Sequence, residues 1–599
     1  TYRDEDALVQ THRINSLPEL EAARKTGVLA SWESLAADDP TTTCFQGPVW
    51  CMEWYRHYRE SFHPLVLVVT RGHKLVGLVS LAIEVSTGRL AFAGDNMSDY
   101  RDVVAAPGYR EMVVAELIRL YREGSFPNSF RIGPTQPESE TTRLILSRSG
   151  RASGVWAVPR FDECWRWWRS SDDPAEAEKL IKKKHVKQHL NYYKRQGTVA
   201  LERLGTYEDW QKIRQEFFDL HSLRQLYVRR PVSFNNPHKR ALFDTLIRDY
   251  PSSVHLCALF VDDRLLAAHY GHLWRDVVYW TAPTYDVRED KHSPGSLLLA
   301  WLIKDSEAHG LRGIDLTLGT EDFKRRFSNE RVEVPSVDLY AQGWRYYTRF
   351  ARDKAVASAR LGVGKVLGPR KWNDILARGE GIRAKVQKGR ERGLKRSAGR
   401  AALHVRHMIG EKTRGLFFLA TPADMREAAP KLMAEEICTI HWDEYGDLLK
   451  WEGASSGVAS LIAALVKELP ELRRNGRTLH TILIADHLAG WGFSYWPREP
   501  AFITETQTTF EFEPESVMLY DFETIPEFRG RKLYQTLLSN ILRERFAEGA
   551  KRAYISCVET NIASRRAIER VGFRLVAVHE LRRLLWRRRS KRQEISDPV

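Results

Sequence analysis

The sequence predicts an α/β protein of the α+β kind, built from three similar units. An apolar strand, a short polar turn and a second apolar strand occur at residues 65–85, 254–274 and 480–496. This pattern is typical of antiparallel hairpins. Helical periodicity precedes the hairpins, as in residues 210–226. The pattern recurs about every 200 residues, which is within the usual size of a domain.

Length and charge limit the functional classes. The 599 residues exceed what one hydrophobic core supports, so about three domains are expected. The formal net charge of +15 favours an anionic partner, such as nucleic acid, a membrane surface, or a phosphorylated cofactor or substrate. A basic protein that is merely soluble is the alternative interpretation.

Cysteine usage and hydropathy indicate a cytoplasmic protein. The six cysteines include no C-x-x-C pair, so neither a zinc site nor a disulfide framework is expected, and no metal is expected. No apolar run approaches the roughly 18 residues of a spanning helix, and no signal peptide is recognised. We therefore expect a reducing compartment and no transmembrane segment.

Composition shifts predict domain boundaries near residues 172, 345 and 412. The predicted segments are a first unit at 1–172, a second at 173–345, a basic helical connector at 346–412, a third unit at 413–590 and a basic or polar tail at 591–599. Within the connector, residues 385–400 carry seven basic residues and one acid. That run can grip phosphates or a membrane surface, or it is a solvated helix or flexible linker.

A basic turn in the third unit is the strongest local signal. The segment IPEFRGRKLYQTLL, residues 525–538, follows a predicted strand at 518–524 and opens a predicted helix at 530–549. Free backbone N–H groups and the positive end of the helix dipole converge at such a turn. The sequence therefore predicts a cradle for a pyrophosphate.

The residues after this turn supply a second motif. A predicted strand at 553–560 leads into the helix NIASRRAIERVGF at 561–573. Together, the two motifs resemble the GNAT superfamily of acetyl-CoA-dependent N-acetyltransferases, whose turn reads Arg/Gln-x-x-Gly-x-Gly/Ala. The resemblance implies mixed, mostly antiparallel twisted sheets flanked by helices, and acetyl-CoA or a longer acyl-CoA as donor. The implied donor-binding residues are Thr524, Arg529, Gly530, Arg531, Lys532, Leu533, Tyr534, Asn561 and Ser564.

Three positions depart from the family pattern. Lys532 replaces the central glycine, Tyr534 replaces the final small residue, and Ile568 stands where many members carry a tyrosine acid. Either Tyr534 or water protonates the leaving thiolate, or the unit is catalytically reduced. Asp521 and Glu523 are the candidate bases, and because strand side chains alternate, one of the two is expected to face the cleft. We favour Glu523.

The first 345 residues resemble the CelD/BcsL-type acetyltransferase domain, a pair of GNAT-like lobes related to the Fem-type peptidoglycan aminoacyltransferases. The resemblance rests on residues 44–58, 98–108, 285–303 and 313–327, which occur in the family's order.

Two short segments of this half supply further candidates. Ser293 and Gly295 open a predicted helix and form a second possible anion site, or an ordinary turn. Asp99 and Asp102 can orient a sugar hydroxyl or amine or serve as a base, or they cap a loop.

A glycine-containing turn lies between Asp315 and Lys324. The Fem-type relationship implies that this lysine lies near the reacting groups, where it can neutralise a phosphate or carboxylate. Otherwise it pairs with Glu321 on the surface.

Other segments have two interpretations each. Residues 179–197 form a predicted basic helix that can lie along tRNA or a lipid pyrophosphate, or it has no special role, since its counterpart in the CelD-like family is similarly basic. Residues 581–592 can touch anionic lipid or are a last strand with a frayed tail. Residues 164–171, CWRWWRSS, belong to a wide acyl or sugar cleft or to a packed lobe interface.

The expected function is acyl-CoA-dependent acyl transfer to an amine or hydroxyl. The resemblance implies an acceptor from a cell-envelope polysaccharide precursor or a small metabolite, with possible contact to the inner face of the membrane. One alternative is a Fem-like transferase that uses aminoacyl-tRNA, and tight salt-dependent tRNA binding would favour it. The other is a catalytically reduced binding or scaffold protein.

Overall fold

The computed structural model describes residues 9–124, 126–127, 129–150, 153–170, 176–228, 230, 232–341, 347–348, 350–352, 411–424, 438–451, 456–503, 508–584 and 587–594. The chain separates into two compact units. The N-terminal unit is Thr1–Arg224 with Pro231–Trp372, and the C-terminal unit is Gln225–Arg230 with Asn373–Val599.

The N-terminal unit alternates strands and helices. Its strands are β1 (Val9–Ile14), β2 (Phe62–Arg71), β3 (Lys74–Glu84), β4 (Leu90–Phe92), β5 (Val104–Ala105), β6 (Phe130–Ile132), β7 (Val155–Trp168), β8 (Val199–Leu204), β9 (Val254–Val261), β10 (Arg264–Trp274), β11 (Val277–Tyr285), β12 (Gly313–Leu318) and β13 (Glu330–Ala341). Its helices are α1 (Leu17–Thr26), α2 (Trp32–Asp38), α3 (Pro48–His57), α4 (Arg110–Glu123), α5 (Thr141–Arg148), α6 (Glu176–Lys182), α7 (Lys184–Lys194), α8 (Tyr207–Tyr227), α9 (Pro237–Asp249), α10 (Pro294–Ala308) and α11 (Asp322–Arg326).

The C-terminal unit is also built from strands and helices. Its strands are β14 (Glu411–Ala420), β15 (Cys438–Trp442), β16 (Arg477–Ile484), β17 (His487–Tyr495), β18 (Ala501–Ile503), β19 (Thr508–Phe510), β20 (Ser516–Thr524), β21 (Arg552–Val558), β22 (Arg574–Leu584) and β23 (Arg587–Glu594). Its helices are α12 (Ser456–Arg474), α13 (Leu533–Ala547) and α14 (Ile562–Arg570).

The strands form three large sheets. Lobe 1 is the sheet β1-β2-β3-β4, with β5 on β3, and lobe 2 is the sheet β6-β13-β7-β12-β11-β10-β9-β8. The C-terminal sheet has the order β15-β16-β17-β20-β21-β14-β22-β23. The pairs are antiparallel except β11 with β12 and β20 with β21. The predicted class of mixed, mostly antiparallel sheets flanked by helices is confirmed.

An earlier strand is inserted in the same place in two sheets. In lobe 2, β7 lies between β12 and β13, and in the C-terminal sheet, β14 lies between β21 and β22. Both inserted strands precede all of their immediate neighbours in the chain. Because β6 and β7 belong to the sheet of lobe 2, that sheet extends across the boundary predicted near residue 172.

The predicted hairpins are confirmed as β2–β3, β9–β10 and β16–β17. The basic helix predicted at residues 179–197 is instead two helices, α6 and α7. Residues 587–594 pair with β22 as the strand β23, where a frayed tail was expected. Most of the predicted connector, including residues 385–400, lies outside the described residues.

One hydrophobic core joins lobes 1 and 2. It contains Trp54 and Tyr55 from lobe 1 together with Trp210, Phe217 and Tyr270 from lobe 2. Trp167, in the tryptophan-rich segment, is also fully buried, within a second core beneath α10. Packing therefore accounts for Trp167, and Trp165 and Trp168 are partly buried against the same two cores.

The C-terminal sheet is covered differently on its two faces. One face carries α13 and α14, with Leu538 and Ile541 packed on Val517 and Leu519. The other face carries a smaller cluster that includes Met518. Each face of this sheet borders its own cavity.

Candidate functional site

The strands β20 and β21 separate partway along their length. They pair in parallel only from Ser516–Arg552 to Leu519–Ile555. Beyond that point, β20 carries one extra residue relative to its other neighbour, because Tyr520 pairs with Phe493 while Glu523 pairs with Trp491. Asp521, inside this bulge, has a left-handed φ of 51°. Such bulges interrupt the ladder and redirect side chains.

The bulge changes the expected alternation of side chains. A regular strand would place Asp521 and Glu523 on one face, with Phe522 on the other, so alternation by itself does not explain why only one of the two acids would face the cleft. The extra residue separates them instead: Asp521 lines the gap between the strands, whereas Glu523 does not line either cavity there.

A cavity of about 200 Å³ occupies the gap between β20 and β21. It is lined by Asp521 and Phe522 from β20, Cys557 from β21, Tyr534 from α13 and Ser564 from α14. The two motifs recognised in the sequence therefore meet at a single cavity.

The turn before α13 has the backbone of an anion cradle. Gly530 has φ 85° and Lys532 has φ 59°, so two left-handed residues stand within three positions. No side chain caps the first turn of α13, which leaves its N–H groups available. A Cβ on Gly530 would meet nothing within 4 Å, so the backbone is approachable there. Leu533 is buried in the core and fixes the start of the helix.

The flanking cations have different surroundings. Arg529 donates to Glu523 Oε1 at 2.8 Å and to the Thr524 carbonyl at 3.0 Å. The guanidinium of Arg531 lies 5.5 Å from the centre of the Phe528 ring. Glu523, the base favoured from the sequence, is therefore an ion-pair partner of the turn. Thr524 continues the ladder opposite Gly490, and the interruption lies earlier, at Asp521.

Tyr534 and the second motif are connected. The Tyr534 hydroxyl lies 3.2 Å from Ser564 Oγ, and Asn561 Oδ1 accepts from the Ser564 N–H at 3.1 Å. Burial raises the pKa of Tyr534 to about 12, so the phenol is protonated at neutral pH. Ile568 is fully buried in the core, so that position packs the domain.

A larger cleft, of about 950 Å³, opens on the face of the sheet opposite α13. Met518 and Tyr520 line it, and both pack in the cluster on that face. It shares Tyr520, Asp521 and Ser556 with the smaller cavity. The two spaces therefore meet at the gap between β20 and β21.

Sequence reasoning missed this second cleft. Its arginines, Arg473, Arg474, Arg477 and Arg498, come from the end of α12, the start of β16 and the segment after β17. No single motif contains them. The signal available was a basic run at a helix end, which is also common on solvated surfaces.

Lobe 2 has its own cavity at the start of α10, of about 290 Å³. Ser293, with φ 46°, and Gly295 line it, as the sequence suggested. Arg224 and Asp322 are also among its lining residues. A Cβ on Gly295 would contact the Tyr285 ring at 3.4 Å.

Asp315 lies in a buried network that joins the two lobes. Its carboxylate accepts from the Tyr100 hydroxyl at 2.9 Å, from Cys164 Sγ at 3.3 Å and from Arg166 Nε at 3.2 Å. It also accepts from the Thr317 N–H at 2.8 Å. Buried carboxylates require such partners, and this set accounts for Asp315 without a substrate.

Lys324 is 5% exposed, and its ammonium donates to the backbone carbonyls of Leu318 and Thr317. Glu321 lies 3.5 Å away. The pairing with Glu321 is therefore present, but the lysine is buried and not on the surface. Burial raises the pKa of nearby Asp99 to about 6, against the opposing charge of Lys324.

Asp102 closes a loop in lobe 1. It accepts from Ser139 Oγ at 2.5 Å and from the Val103 N–H at 2.7 Å, and it lies 3.5 Å from Arg110. Burial raises its pKa. The loop-capping interpretation explains these contacts, and a role for Asp102 as a base is unsupported by them.

One cluster in the described residues could hold a metal ion. His255, Cys257 and His269 on β9 and β10 are buried, with ligand atoms within 4.8 Å of one another. Both nitrogens of each histidine lack a hydrogen-bond partner. Burial lowers the pKa of His255 to about 3, so the ring is neutral, as ligation requires. The expected absence of a metal stays a prediction. The six cysteines are free.

Within the described part of the chain, no helix combines the length and apolar character that a membrane crossing demands.

Solved structures with similar folds were found at low identity. FemX matches with 10% identity over 52% of this chain and 95% of its own, at a TM-score of 0.37. The C-terminal domain of a putative lysylphosphatidylglycerol synthetase from Agrobacterium fabrum matches with 13% identity over 55% and 96%, at 0.35. A tandem GNAT protein from the clavulanic acid biosynthesis pathway matches with 12% identity over 63% and 95%, at 0.20.

Family comparison is more direct. Residues 182–325 match the family described as "Acetyltransferase (GNAT) domain", and residues 435–573 match the "Acetyltransferase (GNAT) family". No curated protein matches the chain in sequence. The first match covers most of lobe 2, and the second covers β20, the basic turn, α13 and α14. The chain therefore contains two GNAT acetyltransferase domains.

Proposed function

We propose that the protein transfers an acyl group from an acyl-CoA to an amine or hydroxyl, and that the C-terminal unit performs the reaction. The observation that carries this proposal is the pair of cavities that meet at the gap between β20 and β21. A donor on one face of the sheet and an acceptor on the other can meet only there.

The donor lies on the α13 side. Its pyrophosphate is held by the backbone N–H groups that follow Gly530, with Arg529, Arg531 and Lys532 adding positive charge. The thioester then extends into the cavity lined by Phe522 and Tyr534. Asn561 and Ser564 support the far wall, because Asn561 caps the helix that carries Ser564.

Asp521 is the proposed base. Its position at the bulge places it on both cavities, where it can accept a proton from the acceptor directly or through one water. The nucleophile forms a bond to the carbonyl carbon, the C–S bond breaks, and the carbonyl oxygen lies against β20 backbone N–H groups released from the ladder by the bulge.

Tyr534 is the proposed hydrogen-bond donor to the leaving thiolate. Its phenol is protonated at neutral pH and is oriented by Ser564 Oγ. This assignment replaces the tyrosine that many family members carry where this chain has Ile568.

The test is isothermal titration of the full chain with acetyl-CoA and longer acyl-CoAs. The double variant Arg529→Glu/Lys532→Glu reverses two charges at the turn, so we expect acyl-CoA affinity to fall by about tenfold or more. Arg543→Glu is the matched control, because Arg543 is exposed on the outer face of α13 and lines neither cavity.

The titration has three outcomes that distinguish where, and whether, acyl-CoA binds. Loss of binding in the double variant alone supports the cradle. Equal binding by wild type and double variant would move the donor to the cavity at α10 in lobe 2. Failure of the wild type to bind any acyl-CoA would reject the proposal, and aminoacyl-tRNA is then the donor to test.

A further inference from the structure

The cleft opposite α13 is unusually rich in arginine. Arg473, Arg474, Arg477 and Arg498 line it, against two acids, Glu499 and Asp521. Its volume of about 950 Å³ suits a small-molecule ligand. Arginine forks match the geometry of phosphate oxygens, with which they form paired charge-assisted hydrogen bonds.

Two of these arginines have no partner in the described protein. Arg474 and Arg498 are exposed at the cleft, and no ion pair or hydrogen bond to a described residue is recorded for either. Arginines that served only to hold the fold would be expected to pair with carboxylates or backbone carbonyls, as Arg529 does. These two side chains are therefore available to a ligand.

A third arginine is fixed by aromatic rings. The Arg477 guanidinium lies 4.9 Å from the ring centres of both Tyr495 and Tyr520. This double cation–π contact holds it at the wall that adjoins Asp521. The hydroxyl of Tyr520 is buried at the same wall, which both cavities share.

The same cleft offers an aromatic face. Trp496 is 37% exposed and lines the cleft next to Tyr495. An exposed tryptophan face can stack on a ring, and the neighbouring arginines can bind an anion.

We propose that the cleft binds a phosphorylated acceptor, with its phosphate on Arg474 and Arg498, its ring or sugar face on Trp496, and its amine or hydroxyl at Asp521. This inference rests on the proposed function, since it names the acceptor of that same reaction. Two basic sites on opposite faces of the C-terminal sheet then bind the two substrates: the basic turn binds the donor, and the arginine cleft binds the acceptor.

The probe is phenyl phosphate, with benzyl alcohol as the uncharged counterpart. Isothermal titration of the full chain is carried out with and without CoA. We expect Arg474→Glu/Arg498→Glu to weaken phenyl phosphate binding by about tenfold or more, and the neutral pair Arg474→Gln/Arg498→Gln to weaken it less. Arg543→Glu serves as the control and should bind the probe as wild type does. Titration in the presence of CoA occupies the basic turn, so probe binding measured there reports on the arginine cleft. Benzyl alcohol should bind at least about tenfold more weakly.

Three results would overturn the inference: unchanged probe affinity in Arg474→Glu/Arg498→Glu, loss of probe binding in Arg529→Glu/Lys532→Glu instead, or benzyl alcohol bound as tightly as the phosphate. Acyl-CoA titration of the same proteins separates the two proposals. If acyl-CoA does not bind but probe binding still depends on Arg474 and Arg498, acyl transfer is rejected and the cleft remains a phosphate site.

Discussion

Lobe 2 and the C-terminal sheet share the order of seven strands, β8–β13 with β7 and β15–β17 with β20–β22 and β14, but their cavities differ in charge and filling. In each, the first strand of the parallel pair leads to a left-handed residue that opens a long helix, Ser293 before α10 and Lys532 before α13, and the helix leads to the second strand. The turn in the C-terminal unit presents Arg529, Arg531 and Lys532. The corresponding turn in lobe 2 contains Asp286, whose carboxylate is bound by Arg264 and Arg288.

The gap between the parallel strands differs as well. The last parallel pair in lobe 2 is Tyr279–Asp315, and the Asp315 carboxylate is covered by Tyr100 and Cys164 from elsewhere in the unit. The last parallel pair in the C-terminal unit is Leu519–Ile555, and a cavity follows it. The shared topology thus supplies the helix N-terminus and the gap, while side chains decide whether that place is open and cationic.

The largest expected effect comes from removing the proposed base. Asp521→Asn should lower the acyl-transfer rate by about 10²–10⁴-fold, because proton removal from the acceptor is lost. Release of the CoA thiol in the presence of a panel of amine acceptors measures this rate. Glu523→Gln is the control: its carboxylate pairs with Arg529, so mainly donor KM should change. A larger loss of kcat in Glu523→Gln than in Asp521→Asn would contradict the assignment.

Core truncations should show whether the two compact units unfold separately. Leu298 and Leu538 are both fully buried on the helices that follow the two turns. Leu298→Ala and Leu538→Ala should each cost about 2–5 kcal/mol of unfolding free energy. Chemical denaturation followed by circular dichroism should show each variant shifting one transition. A single transition moved equally by both variants would argue against independent units.

The stability of the N-terminal unit should depend on pH through Asp99, which follows β4 in lobe 1. The pKa of Asp99 is raised from 3.8 to about 6, so the folded state binds this proton more tightly than the unfolded state. Its contribution to stability is therefore lost as pH rises from about 4 to 6. Asp99→Asn should gain on the order of 2–3 kcal/mol over wild type above that range and nothing below it.

The measurement is thermal or chemical unfolding of wild type and Asp99→Asn at several pH values. Asp263→Asn is the control, since Asp263 is exposed at the β9–β10 turn. A difference between Asp99→Asn and wild type that is flat with pH would show that the Asp99 pKa is ordinary.

The smallest expected effect is in the donor stoichiometry. Wild type should bind one acyl-CoA per chain, and Ser296→Glu, which places a carboxylate in the lobe 2 cavity, should leave affinity and stoichiometry unchanged. Isothermal titration gives both values. Two bound donors, falling to one in Ser296→Glu, would show that lobe 2 also binds donor and does not differ from the C-terminal unit in this respect.

Local patterns predicted much of the fold and one half of the site. The hairpins, the helix that begins at Leu533 and the cap at Asn561 were predictable because period-2 and period-3.6 apolar patterns and turn residues act over short distances. The turn that opens α13 was recognisable for the same reason, because its glycine, its cations and its helix are contiguous in sequence. Anion binding there stays a prediction.

The sequence favours Glu523 as the base, and the bulge in β20 is the reason that we propose Asp521 instead. Strand alternation is regular only without bulges, and the extra residue at Asp521 is visible only from its pairing with β17. Likewise, the buried state of Lys324 and the Asp315 network depend on residues from distant parts of the chain, such as Tyr100.

By itself, the sequence determined the α/β class, the antiparallel hairpins, the order of the two motifs and the basic turn that precedes α13. Only the tertiary structure decided that β7 and β14 enter their sheets between later strands, that the sheet opens beside Asp521, and that four arginines from three segments line one cleft. The reason is physical: hydrogen-bonded turns and helices are set by neighbours in sequence, whereas strand insertion and cleft formation depend on contacts between residues far apart in the chain.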